Sequence, residues 1–309
     1  MGKVAFVFPG QGSQAVGMGK AVFDSEPRGR AVFEAADAAL GESLSELCFS
    51  GPEEALKLTA NTQPALLTVS VALLRALDET PDVVAGHSLG EYSANVAAAT
   101  LSFERAVRMV RVRGTYMQEA VPVGVGAMAA VLGGDLAAIE EILRNTPGSV
   151  EPVNYNSPGQ LVIAGEAAAV DAAKPALLAL GCKVISLPVS APFHSRLMQP
   201  AEQRLEPHLR DTPFSDTRVP IYINLDGKPT QSGEQAREAL IKQVSRPVRW
   251  QQSIEHMRDD GVTLFVEIGP GKVLSGLIKR IDKQLAFVNV QAPGDFDAAR
   301  AAIAHARTS

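Results

Sequence analysis

The chain has 309 residues, 46% hydrophobic and 20% charged, with 29 Lys and Arg against 34 Asp and Glu for a net charge of −5. That balance describes a folded chain of one large domain carrying a smaller one, and argues against disorder or a binder that neutralises nucleic-acid phosphates. Cys48 and Cys182 lack the spacing of a metal site or disulfide framework, the apolar start before Pro9-Gly10 is too short for a signal peptide, Phe6 stands where myristoylation needs Ser or Thr, and no run reaches membrane-spanning length. A cytoplasmic, reducing setting is expected.

Residues 3–8 read as a buried strand that ends in the glycine-rich loop Pro9-Gly10-Gln11-Gly12-Ser13-Gln14. A loop at a strand end is where α/β enzymes place ligand-binding groups. Helical spacing follows over 30–40, 52–58 and 62–77. The apolar run Val83-Val84-Ala85 then meets Gly86-His87-Ser88-Leu89-Gly90, and a helix-compatible stretch begins at Glu91. Strand, Gly-X-Ser-X-Gly turn and helix together describe a nucleophile elbow, with Ser88 as the nucleophile. Without a Cβ at Gly86 or Gly90, strand and helix can approach closely around the bend. The helix aims its first N–H groups and the positive end of its dipole back at the serine, which makes the Leu89 N–H an oxyanion donor.

A long helix is expected over 102–120, capped near Ser102 and Arg105. Beyond Val121-Pro122-Val123-Gly124 the order becomes strand 127–132, helix 135–144, strands 150–154 and 161–164, helix 166–180 and strand 183–188. That βαββαβ order is ferredoxin-like, so residues 123–192 read as an inserted subdomain in a hydrolase-like parallel-sheet core formed by residues 1–122 and 193–309. The core resumes with strand 219–223, helices 233–244 and 250–259, strand 263–268 and helix 272–281. Gly269-Pro270-Gly271-Lys272-Val273 has neither the glycine spacing nor the Ser or Thr of a phosphate loop, and Gly124-Val125-Gly126 precedes a strand rather than following one. No nucleotide or metal cofactor is implied.

An attacking hydroxyl needs a base, and His194 is the candidate. It lies in the irregular stretch Pro188-Val189-Ser190-Ala191-Pro192-Phe193-His194-Ser195, suited to a base projecting over a cleft. His208, His256 and His305 read as solvated surface residues, and His87 as a packing or hydrogen-bonding neighbour of Ser88. No acid between Ser88 and His194 sits in a strand-end loop, so a backbone carbonyl orienting the base, a Ser-His dyad, is the alternative to a triad. On the 102–120 helix, Phe103, Ala106, Val107, Val110, Gly114 and Met117 form the apolar stripe, with Arg113 at its border. A guanidinium near the core side needs an anion, either a structural carboxylate or a carboxylate on the substrate.

Phe8–Gln14, Thr62-Gln63-Pro64-Ala65-Leu66, Gly86–Glu91, Arg113-Gly114 with Met117-Gln118-Glu119-Ala120, Val153–Gln160, Phe193-His194 and Glu267–Leu274 stand in one order over nearly the whole chain. That order resembles the malonyl-CoA:acyl carrier protein transacylases. The resemblance implies a two-subdomain α/β acyltransferase fold in which Ser88 carries the acyl group, His194 is its base, and Gln11 and Leu89 supply oxyanion N–H groups. It implies that Arg113 clamps the malonyl carboxylate, that Gln63, Met117 and Asn156 line the acyl pocket, and that the backbone carbonyl of Gln243 orients His194. Phe193 resembles the malonyl-selecting members, where methylmalonyl-selecting ones have serine.

The activity implied is ping-pong transfer of malonyl from malonyl-CoA to the phosphopantetheine thiol of acyl carrier protein in fatty acid synthesis, by a monomer without a cofactor. Carrier proteins are acidic, so Lys279 and Arg280, with Lys272 and Lys283, are the expected docking patch. A serine hydrolase such as a thioesterase, and a carrier-binding subunit with a vestigial site, are the two alternatives.

Overall fold

In the computed structural model, residues 2–189 and 191–308 are described; Met1, Ser190 and Ser309 lie outside them. Among the described residues, ten strands form two sheets: β1 Lys3–Phe8, β2 Val83–Gly86, β3 Gly126–Leu132, β4 Val150–Ser157, β5 Gln160–Glu166, β6 Lys183–Ser186, β7 Ile221–Tyr222, β8 Pro229–Thr230, β9 Val262–Ile268 and β10 Ala286–Val290. The large sheet runs β10-β9-β1-β2-β7-β8, parallel except at its β7–β8 edge.

Both faces of that sheet are covered, which is why β1 reads as an unbroken apolar run rather than an alternating one. Val4, Phe6 and Phe8 pack on one side with helices Pro27–Leu40, Thr59–Leu77 and Phe103–Glu119; Ala5 and Val7 pack on the other with Trp250–Asp259 and Val273–Ile281. The helix Thr59–Leu77 is buried along nearly all its length, and Gly114 lets Phe103–Glu119 approach it: a Cβ there would meet the Thr59 carbonyl oxygen at 2.6 Å.

The second sheet has order β4-β5-β3-β6, fully antiparallel, with helices Leu136–Asn145 and Ala167–Ala179 packed on one face through Ile139, Leu143, Val170 and Leu177. That is ferredoxin-like topology. Its other face turns Met128, Val153 and Val162 toward the large-sheet core. The fold is therefore α/β, a parallel-sheet core with a small antiparallel subdomain.

Several elements differ from the sequence expectation. Helices Lys20–Ser25 and Leu44–Ser50 span less than two turns, too short for a period to show. Gln199–Arg210 contains Pro200 and Pro207, which mask a helix whose buried Ala201, Leu205 and Leu209 recur every four residues. The edge strand β10 and the alanine-rich helix Phe296–Thr308 close the sheet beyond β9. The strand expected over 183–188 stops at Ser186, and the one over 219–223 shrinks to two residues.

Candidate active site

The elbow forms where the sequence places it. β2 ends at Gly86, Ser88 follows at φ 52°, and the helix Gly90–Ala97 starts two residues later. A Cβ at Gly86 would come within 1.9 Å of the Gly90 carbonyl, and one at Gly90 within 2.0 Å of the Phe8 carbonyl oxygen. Both glycines are therefore required by contact, while Ser88 itself bears left-handed strain of about 1–3 kcal/mol.

His194 has φ 63°. Among the described residues, the other non-glycine positions at positive φ are Asp78 and Ala99. Asp78 caps one helix and Ala99 directly follows the cap of another, so the left-handed pair Ser88 and His194 stands out as strain not explained by helix termination. Their side chains meet, with Ser88 Oγ 2.7 Å from His194 Nε2. His194 Nδ1 lies 2.8 Å from the Gln243 carbonyl oxygen. A carbonyl oxygen only accepts, so Nδ1 carries the proton and Nε2 is left as the acceptor facing the serine hydroxyl. Burial, and then the Arg113 cation, push the imidazole down to about 3, so it is neutral at ordinary pH.

Arg113 is not at the border of its helix stripe but fully buried, 1% exposed. Its Nη1 donates to Gln63 Oε1 at 2.7 Å, and its Nη2 to Gln243 Oε1 at 2.8 Å and to Ser88 Oγ at 3.2 Å; Nε is buried with no partner. The Tyr92 ring lies 5.5 Å away. Among the described residues no carboxylate forms an ion pair with it. Neutral amide acceptors leave most of the cation's desolvation cost unreturned.

These groups open onto a cavity of about 210 Å³ between the two sheets. Gln11, Gln63, Leu89, Met117, Asn156 and Phe193 line it with Ser88, Arg113 and His194. Gln63 Nε2 reaches Met117 Sδ at 3.6 Å, Gln11 is tied to Thr59 Oγ1 through its side chain at 3.3 Å, and Asn156 Oδ1 lies 2.8 Å from His87 Nε2. Leu89 is the N-cap of Gly90–Ala97, so its backbone stands at the positive end of that helix.

Val273, Leu274 and Leu277 also line the cavity, from the helix whose other end bears Lys279 and Arg280, both exposed; Arg280 bonds Gln160, itself a lining residue. The solvated-surface reading needs correcting for one histidine, half-buried His256, which bonds the Gly227 carbonyl; His208 is exposed and bonds the Tyr116 hydroxyl at the surface. Among the described residues no group of three or more His, Cys, Asp or Glu is placed to hold a metal ion, and no helix is long and apolar enough to cross a membrane.

Sequence reasoning missed Glu91 and Asn224, both wholly buried behind the elbow. Glu91 shows only as a residue of a helix-compatible stretch, and Asn224 falls just past the strand read over 219–223. A carboxylate in the first turn of a helix with no other charged residue was the available signal.

Fold and elbow together define a class, the α/β proteins built around a serine held on a strand-to-helix bend. Within it, the chain belongs to the acyl transferase domain family, whose pattern matches residues 5–299. It is 47% identical over 300 residues to the malonyl CoA-acyl carrier protein transacylase of Bacillus subtilis, covering 95% of each chain. An acyl carrier protein S-malonyltransferase from Vibrio cholerae superposes with a TM-score of 0.94 at 43% identity, over 96% of this chain and 99% of that one. A malonyl-transacylase in complex with its type II PKS acyl-carrier protein superposes at 0.93 with 43% identity, over 96% and 98%.

Proposed function

We propose that this chain is a malonyltransferase, moving a malonyl group from malonyl-CoA to the phosphopantetheine thiol of an acyl carrier protein. The carrying observation is Arg113: a buried cation with three neutral partners, 3.2 Å from the nucleophile, is suited to an anion that arrives attached to the acyl group. The malonyl carboxylate is such an anion, and the relatives named above act on it.

Ser88 attacks the thioester carbonyl as His194 Nε2 takes its proton. The oxyanion is held by the N–H groups of Leu89 and Gln11, each such donor lowering the barrier by ~2.7–4 kcal/mol. The tetrahedral intermediate collapses, the C–S bond breaks, His194 returns its proton to the CoA thiolate, and malonyl remains esterified to Ser88. The carrier thiol then repeats the sequence in reverse, with His194 taking the thiol proton and Ser88 leaving as its hydroxyl. The Gln243 carbonyl fills the place of a triad acid by fixing the Nδ1–H tautomer. Gln63, Met117, Asn156 and Phe193 shape the acyl pocket, and Lys279 and Arg280 meet the acidic carrier. The reading invokes no cofactor, and places a monomer, its inserted subdomain spanning residues 123–192, in the cytoplasm, where the buried free thiols of Cys48 and Cys182 stay reduced.

Intact-mass measurement after adding malonyl-CoA is the test. One malonyl adduct, absent in Ser88→Ala and discharged by holo carrier protein, is expected; steady release of free malonate without carrier would identify a hydrolase, and no adduct a binding subunit.

A further inference from the structure

Behind the elbow, outside the cavity lining, lies a polar assembly of side chains from which the steps above use only the Gln243 carbonyl. Asn224 Oδ1 accepts from the Ser88 N–H at 2.7 Å, and Asn224 Nδ2 donates to the Gly86 carbonyl at 2.7 Å. Gln243 Nε2 donates to the Ser88 carbonyl at 2.9 Å. Both converge on one carboxyl oxygen: Glu91 Oε2 accepts from the Asn224 N–H at 3.0 Å and from Gln243 Nε2 at 2.8 Å. Glu91, Asn224 and Gln243 are each wholly buried.

We infer that Glu91 and Asn224 are positioning residues of the nucleophile: with the Gln243 amide they clamp the N–H and C=O of Ser88 and hold that residue in its left-handed conformation. A serine at φ 52° relaxes toward ordinary backbone unless its surroundings over-determine it. Here three chain segments do so at once, the elbow helix through Glu91, the turn after β7 through Asn224 and the end of the Gly233–Gln243 helix through Gln243. Gln243 also joins the clamp to the other groups, since its Oε1 accepts from Arg113 and its carbonyl from His194. A shift of the clamp therefore moves Ser88 relative to both.

Glu91 serves as an acceptor, and a neutral one suffices. Its Oε1 is buried with no partner, and burial raises its carboxyl to about 7 despite two donors and the nearby Arg113. An amide oxygen can accept the same two bonds.

The inference rests on acylation of Ser88 by malonyl-CoA, so the test reads that step directly, by quenched-flow intact mass, beside steady-state kcat and KM and a thermal melt. Asn224→Ala and Glu91→Ala are each expected to slow acylation about 10- to 100-fold, the cost of misplacing a reacting group by about an ångström, with KM for malonyl-CoA within about threefold. The double variant should be little worse than the worse single one, because the residues act as a unit. Glu91→Gln should restore acylation to within about threefold of the parent, and Asn224→Asp, which keeps the acceptor for Ser88 N–H and loses the donor to Gly86, should fall between Asn224→Ala and the parent. These two conservative variants carry the test if either alanine variant melts too low to assay. Acylation at the parental rate in Asn224→Ala, multiplicative losses in the double variant, or Glu91→Gln as slow as Glu91→Ala would overturn the inference. A parent chain that takes up no malonyl would instead overturn the acyl-transfer reading itself.

Discussion

The six-stranded side of the cavity presents Ser88, His87 and the Arg113 cation, whereas the four-stranded side presents Met128, Asn154, Asn156, Gln160 and Val162, all neutral. The contrast follows from what each sheet can support. The parallel sheet is covered on both faces and encloses a connected set of amides around Arg113 and Ser88. The small sheet uses one face for its own helices and lends the other to the cavity as a wall. Charge and strain lie on one side and shape on the other, and His194 enters on the segment that returns from the second to the first.

If that division holds, substitutions on the two sides should fail in different ways. The sharpest contrast is Arg113→Ala. Two charge-assisted hydrogen bonds to the malonyl carboxylate, each worth ~1.5–3 kcal/mol, predict a loss of roughly 10²- to 10⁴-fold in kcat/KM for malonyl-CoA. Acetyl transfer should be retained, and equal loss of both would break the clamp reading.

Protonation gives the next largest effect. With the His194 imidazole pushed down to about 3, kcat/KM should stay level well below pH 6.5, and in Arg113→Ala, assayed with acetyl-CoA, the acid limb should move to higher pH because a cation has been removed. Burial of His87 acts in the same direction on that neighbouring ring. The same shift bears on folding: between about 3 and 6.5 the unfolded chain binds a proton that the folded one refuses. The stability contributed by neutral His194 is thus whole above pH 6.5 and lost as pH falls toward 3. Denaturant melts of His194→Gln should show a flatter slope across that window.

On the returning segment, Phe193→Ser should leave malonyl transfer within a few-fold and raise the methylmalonyl-to-malonyl ratio about tenfold, the scale on which a pocket reads one methyl group. An unchanged ratio in a competition assay would take Phe193 out of selection. The smallest effect belongs to the rim. Charge reversal of Lys279 and Arg280 should raise KM for carrier protein by roughly threefold to tenfold and leave that for malonyl-CoA alone, since exposed charges act mainly on encounter.

Much of this architecture is readable from local pattern. Gly86 and Gly90 flank Ser88 at a spacing only a tight bend uses, and the βαββαβ order predicts the antiparallel sheet because short connections leave few topologies. Helices with paired prolines, such as Gln199–Arg210, are not readable, because local breakers hide a burial pattern that only packing against Phe103–Glu119 and Gly233–Gln243 sustains.

By itself the sequence determined the elements that depend on near neighbours: the elbow, the apolar strands, and Arg113 near a helix stripe with a cation to satisfy. Tertiary structure alone decided that Arg113 is fully buried among amides, that residues 88 and 194 share left-handed strain and a hydrogen bond, and that Glu91, Asn224 and Gln243 converge behind them. The reason is range: backbone propensity and periodicity act over a few residues, whereas the hydrogen bonds that complete this site join positions 106, 133, 136, 152 and 155 residues apart.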